Sequence, residues 1–172
     1  MEEEYMFFKP KYGWSYFNVF KYYNKDDCNY LLESDLEKVK SIFRVSYIDP
    51  VASMLFNSLI DLLKNHKSTI LTFDAEGYEW SLLLNYYDNS VMVLIPEGLL
   101  NPFKKEEFFT IDLSHYCFTA KRFAQDWCKC YQQYKKEWNL FDHAEDENYP
   151  FDENSHTDLD EKYEELMGLL NE

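Results

Sequence analysis

Alternation of apolar and polar residues dominates the middle of the chain, from Thr69 to Ile95. Apolar side chains recur at every second position in three short runs, as in strands that bury one face. Two turn sequences, Ala75-Glu76-Gly77 and Asp88-Asn89, separate the runs, and these residue types tolerate the positive φ of tight hairpins. The pattern predicts an antiparallel meander over 69–95.

One face of this meander is expected to be buried. A two-residue turn at Asp88-Asn89 places Leu84 opposite Val93 and fixes the register of the second hairpin. Trp80 and Ile70 extend the same face, because side chains two residues apart share a face of a strand. We therefore expect this face to carry the core.

Elsewhere the apolar residues recur at helical spacing. A capping box before an apolar stripe predicts a short helix over 34–44. Asp49-Pro50 predicts an N-cap residue and a first-turn proline, which begin a second helix that ends near Asn65. The longest stripe predicts a helix over 115–138 that lies on the buried face of the meander. A fourth stripe predicts a terminal helix over 158–170, with acids in its first turns.

The chain begins with a stretch of unusual aromatic density, residues 5–23. Alternating rings over Trp14–Tyr22 predict one strand there, and 108–113 is a further candidate strand. Two interpretations of the aromatic stretch stay open: its rings fill the core, or some of them form a contact surface.

These elements predict an α+β fold. We expect an antiparallel sheet of four to five strands, with the meander 69–95 at its centre, packed against the long helix 115–138 and the N-terminal helices. Residues 1–141 form a single domain in this interpretation. Residues 142–172 form an acidic segment whose terminal helix docks on the same domain.

Charge is distributed unevenly along the 172 residues, whose formal net charge is −15. Between Asp142 and Glu165 eleven acids stand against one base, Lys162, so this segment alone carries −10. Residues 1–141 are nearly balanced, with 20 acids and 16 bases. The 46% apolar content is ample for a globular core, so the acidity is a property of one segment of a folded protein.

The sequence argues against several functional classes. No glycine-rich phosphate loop or hydrolase signature is present, and Cys128 and Cys130 point about 200° apart on a helix, so they cannot share a metal ion. We predict no cofactor and no metal site. No apolar run is long enough to span a membrane and no signal peptide pattern begins the chain, so we expect a cytoplasmic protein with reduced cysteines. An acidic chain is repelled by phosphates, which argues against direct nucleic-acid binding.

The acidic segment is the candidate binding site, because aromatic residues lie among its acids. The acids would steer a basic protein partner and the rings would anchor it, whereas the plainer alternative is a solvated face. The predicted partner-binding residues are Asp142, Glu145, Asp146, Glu147, Tyr149, Phe151, Asp152 and Glu153.

One group of proteins shares this style of sequence. A strand, an acidic turn with glycine and an aromatic strand at 73–80, followed by a second hairpin and a long helix, resembles bacterial immunity proteins of polymorphic and contact-dependent toxin systems over residues 69–138. The resemblance implies a non-catalytic inhibitor that binds a cognate toxin, often a nuclease, and blocks its active site. Two alternatives stay open: a phage-type nucleic-acid mimic or anti-defence protein, and an enzyme with a scattered carboxylate site.

Overall fold

A computed structural model describes residues 3–11, 13–22, 39–77, 79–94, 117–146, 148–149 and 151–172. These residues form an α+β fold with two antiparallel sheets, of strand order β1-β2-β3 and β4-β5-β6-β7. In chain order the elements are β1 Glu3–Lys11, β2 Trp14–Tyr22, β3 Val39–Ser46, α1 Val51–Lys64, β4 Thr69–Asp74, β5 Glu79–Asn85, β6 Ser90–Leu94, β7 Cys117–Thr119, α2 Ala120–Gln133, α3 Lys135–Asp142 and α4 Asp158–Leu170.

The three-stranded sheet is built from the N-terminal aromatic stretch. The predicted strand β2 is confirmed with its predicted bounds, and β1, which the pattern did not single out, pairs with it across a turn at Gly13. The predicted helix 34–44 is wrong where the structure describes it, because Val39–Ser46 pairs with β2 as β3. Three β-branched residues in that run favour a strand once a neighbouring strand is available. Residues 34–38 lie outside the described part.

The meander is confirmed as β4, β5 and β6, but its second hairpin is shifted by two residues. Leu84 lies opposite Val91 rather than Val93, because the turn uses four residues, 86–89. A shift of two keeps the side chains of β6 on their predicted faces, so Leu84 and Val93 are buried as expected. The prediction for Ile70 on β4 is wrong: its side chain is 60% exposed, because Leu71 and Phe73 occupy the buried face of that strand.

A single central sheet of four to five strands with one long helix is not what the described residues form. Residues 117–119 pair with β6 as the short strand β7, and the hydroxyl of Thr119 caps α2 by accepting the N–H of Arg122 at 3.2 Å. The backbone then breaks at Tyr134, between α2 and α3. The apolar stripe continues across this break into α3, which is why its period resembled one helix over 115–138. Residues 108–113, the other candidate strand, lie outside the described part.

Helices α1 and α4 confirm two other predictions. The apolar stripe of α1 is buried, including Leu55, Leu59 and Leu62. Helix α4 has the predicted bounds and begins with a capping box in which Thr157 and Asp160 satisfy each other's backbone N–H groups.

The core is an aromatic cluster between the two sheets and the helices. Phe8 lies at its centre, with its ring centroid 5.3 Å from Phe17, 6.5 Å from Trp80 and 6.2 Å from Trp127. All four side chains are at most 1% exposed. Phe8 and Phe17 belong to the N-terminal aromatic stretch, so at least these rings serve the core. No described helix is long and apolar enough to cross a membrane.

Candidate partner-binding face

The acidic segment begins with a carboxylate that has a structural role. Asp142, the last residue of α3, accepts the backbone N–H groups of Ala52 and Ser53 at 3.0 and 2.8 Å. These N–H groups belong to the first turn of α1 and have no partner within that helix. Burial raises the pKa of Asp142, and the two N–H groups oppose that shift. The expectation that Asp142 is exposed is therefore wrong, because it is half-buried and caps another helix. Its contact with a partner stays a prediction.

Asp49, which the sequence suggested as the cap of α1, is used elsewhere. Its carboxylate accepts the backbone N–H of Asp74 at 2.7 Å, at the end of β4. The cap position of α1 is held by Pro50, which offers no side-chain acceptor. Asp142 thus supplies from a distance of 90 residues what the local sequence lacks.

A second carboxylate fixes the far end of the segment. Asp160, in the first turn of α4, accepts the hydroxyl of Tyr131 and the ammonium of Lys135, both at 2.9 Å. Burial alone would raise the pKa of Asp160, but these donors and the N–H of Thr157 outweigh it, so the pKa is lowered. Leu159 beside it is 2% exposed. The chain between α3 and α4 is therefore tied down at both ends.

Between these ties runs the acidic loop, residues 143–157. Its turns are closed by its own acids: Asp146 accepts the N–H of Asn148 at 3.1 Å, and Asp152 accepts the N–H of Asn154 at 2.9 Å. Glu145, Asp146, Asp152 and Glu153 are all exposed. Glu147 lies outside the described residues.

The two predicted anchors, Tyr149 and Phe151, are half-buried rather than free. The Tyr149 ring stacks on the His143 ring with centroids 3.7 Å apart and planes 3° from parallel. Burial, followed by nearby carboxylates, raises the pKa of Tyr149. One ring face of Tyr149 is thus occupied by His143.

The bases near the acidic loop are already engaged. Lys135 pairs with Asp160, and Lys136 pairs with Glu153 at 3.2 Å. Glu145, Asp146 and Asp152 form no ion pair within the part of the chain that the structure describes. The exposed face of the loop therefore keeps a local excess of negative charge.

A groove adjoins the loop, and sequence reasoning missed it. It lies between the β1–β2 turn and α3, has a volume of about 420 Å³, and is called the α3 groove below. Leu140 on its wall is 43% exposed, while Phe141 is buried at 5%. The only signal in the sequence was an apolar residue off the buried stripe of α3. Its lining residues are Pro10, Lys11, Gly13, Glu137, Leu140, Phe141 and Ala144.

A second groove, between α2 and α4, has a volume of about 400 Å³ and is lined in part by Cys128. Burial raises the pKa of the Cys128 thiol to about 12, so the group stays protonated at neutral pH. Burial also raises the pKa of Cys130. Because both thiols hold their protons, neither cysteine is an activated nucleophile. Among the residues that the structure describes, no three His, Cys, Asp or Glu side chains are grouped as a metal site would need.

Comparison of this chain with models of protein families, with curated proteins and with solved structures finds no match. The resemblance to immunity proteins therefore stays a prediction. The geometry of the acidic loop and the α3 groove carries the functional argument.

Proposed function

We propose that this chain is a non-catalytic inhibitor of a basic protein, and specifically an immunity protein that neutralises a cationic, nuclease-type toxin. The observation that supports the proposal most directly is the exposure of Glu145, Asp146, Asp152 and Glu153 on a loop fixed at both ends. Enzymes that cleave nucleic acids bind phosphates through basic surfaces, and an acidic face is complementary to such a surface.

The fixed ends of the loop matter for affinity. A disordered acidic tail would lose conformational entropy when it bound, and that loss would weaken the complex. Here the capping of α1 by Asp142 and the contacts of Asp160 with Tyr131 and Lys135 hold the loop before any partner arrives. The acids are thus presented in a defined arrangement.

The primary test uses the product of the gene that lies next to the one encoding this chain. That product should bind the purified chain, and its activity on nucleic acid should fall as the chain is added. Undiminished nucleic-acid cleavage under saturating binding would exclude an inhibitor of that activity. Turnover of a small molecule by the chain alone would replace the proposal with an enzymatic function.

Electrostatic steering gives a second test with a matched control. The fourfold change Glu145→Gln, Asp146→Asn, Asp152→Asn and Glu153→Gln should slow association with the basic partner and reduce its dependence on salt. The control changes four exposed acids elsewhere to glutamine: Glu79, Glu161, Glu165 and Glu172. Both variants alter the net charge equally, so a larger effect of the first set locates the interface on the loop. Equal effects would assign the attraction to overall charge.

The aromatic residues should control the lifetime of the complex. Tyr149→Ala and Phe151→Ala remove half-buried rings beside the acids, and most changes in affinity at an interface act on dissociation. We expect faster dissociation with little change in the association rate. Stopped-flow association and competition-based dissociation separate the two rates.

A further inference from the structure

We propose that the α3 groove receives one apolar side chain of the basic partner, as the anchor of the interface; this inference rests on the function proposed above. The groove faces solvent between the β1–β2 turn and α3, directly before the acidic loop in the chain. It therefore adds a shaped apolar contact to a face that otherwise offers charge.

The lining decides which kind of group fits. Phe141 and Pro10 are buried, and Leu140 contributes an exposed apolar wall. A volume of about 420 Å³ lies within the range of small ligand sites and exceeds what a single side chain needs. Burying an aliphatic or aromatic side chain against these residues removes apolar surface of both partners from water.

The charges around the groove decide what must flank that side chain. Glu137 lies on the α3 rim, and Ala144 at the end of the groove is followed at once by Glu145 and Asp146. Lys11 lies on the other rim. Cationic groups of a partner should therefore lie along the α3 side, next to the apolar side chain that enters the groove.

The same charges argue against other occupants. A second copy of this chain would bring another acidic loop against the first, with a net charge of −15 on each molecule. Glu137, Glu145 and Asp146 would repel a free carboxylate or phosphate, and among the described residues Lys11 is the one cationic residue that lines the groove. A basic protein segment with one exposed apolar side chain satisfies both the lining and the rim.

Two synthetic peptides test the groove without knowledge of the toxin. One has a central leucine with two arginines on each side, and the other has serine in place of leucine, so both carry the same charge. Titration of the isotope-labelled chain by NMR gives both affinities and the residues contacted. We expect the leucine peptide to bind about tenfold more tightly, with shifts at Leu140, Phe141 and Ala144.

Matched variants show whether the groove causes that preference. Leu140→Ser removes the exposed wall, and Ala144→Phe fills the groove from an exposed position, so each should abolish the preference for leucine. Ile70→Ser changes a side chain that is 60% exposed on β4, in the other sheet, and should leave the preference intact. Ala144→Phe keeps the test decisive if Leu140→Ser perturbs folding.

Equal affinity of the two peptides for the unmodified chain would overturn the inference, and so would a preference that survives Ala144→Phe. The outcomes separate this inference from the proposed function. A groove that selects leucine in a chain that inhibits no toxin would leave the groove standing and refute the function. If the chain inhibits a toxin and Ala144→Phe leaves that inhibition unchanged, the proposed function stands and the groove is refuted as the anchor of the interface.

Discussion

The two ends of the acidic segment and the loop between them use the same residue types for different purposes. Asp142 and Asp160 accept backbone N–H groups, a tyrosine hydroxyl and a lysine, and each ties one helix to another. Glu145, Asp146 and Asp152 lie in the loop, exposed and without ion pairs in the described structure. We call the first pair the junction acids and the second set the loop acids.

The difference shows that charge density alone does not identify a binding surface. Counting along the sequence gives one acidic run with a charge of −10 between residues 142 and 165. In the fold, the carboxylates of Asp142 and Asp160 accept hydrogen bonds from groups on other helices. Removing either carboxylate leaves these donors without their acceptor. We therefore expect changes at the junction to affect stability, and changes in the loop to affect association.

The largest expected effect on stability lies in the aromatic core. Trp127→Ala, or Trp80→Ala, should lower the free energy of unfolding by about 3–5 kcal/mol, because each ring is fully buried among other aromatic side chains. Tyr87→Ala is the control, since that ring is 91% exposed. Urea unfolding measures all three, and a nearly neutral tryptophan variant would contradict the core assignment.

Asp126, a buried acid outside the acidic segment, should make the stability of the fold depend on pH. Asp126 contacts the N–H of Met6 at 3.5 Å and pairs with Arg122 at 3.2 Å. Burial raises its pKa to about 6, although Arg122, Met6 and Lys129 oppose the shift. A carboxyl whose folded pKa is raised binds its proton more tightly in the folded state, so the contribution of Asp126 to stability is complete below pH about 4 and is lost as the pH rises to about 6.

Asp126→Asn should remove this contribution. The stability of the variant relative to the unmodified chain should therefore rise by about 2–3 kcal/mol between pH 4 and pH 7, as expected for a carboxyl whose pKa is raised from its ordinary value of 3.8 to about 6. Other acids titrate in the same range, so the difference between the two proteins is the informative quantity. An identical difference at both pH values would show that Asp126 has an ordinary pKa in the fold.

Sequence patterns predicted elements that bury one face on their own, such as α1, α4 and the meander. They failed where a distant partner decides the local structure: Val39–Ser46 is a strand because β2 lies beside it. The break at Tyr134 carries no glycine or proline, so the continuous stripe from α2 into α3 gave no sign of it. The predicted register of the second hairpin was wrong because four residues, rather than two, connect its strands.

The candidate site shows the same limit. The exposed loop acids could be predicted because charge runs favour the surface. The role of Asp142 could not, since its partners Ala52 and Ser53 lie about 90 residues earlier in the chain. The α3 groove needs the β1–β2 turn beside α3, a contact that no local pattern contains.

A smaller effect separates the junction acids from the loop acids directly. Asp142→Ala removes the acceptor for two N–H groups of α1 and should cost about 1–2 kcal/mol of stability, as loss of a helix cap does. Glu145→Ala, three residues later and exposed, should be close to neutral. Equal unfolding free energies for the two variants would remove the structural distinction between them.

The smallest effect belongs to the loop acids themselves. Changing Glu145, Asp146 and Asp152 to their amides should alter the free energy of unfolding by less than about 0.5 kcal/mol, because these side chains are exposed and form no described ion pair. Any change should be an increase, largest at low salt, since the molecule carries a net charge of −15. Urea unfolding at two ionic strengths measures it. A loss of more than about 1 kcal/mol would place these acids with Asp142, as parts of the fold rather than of a partner surface.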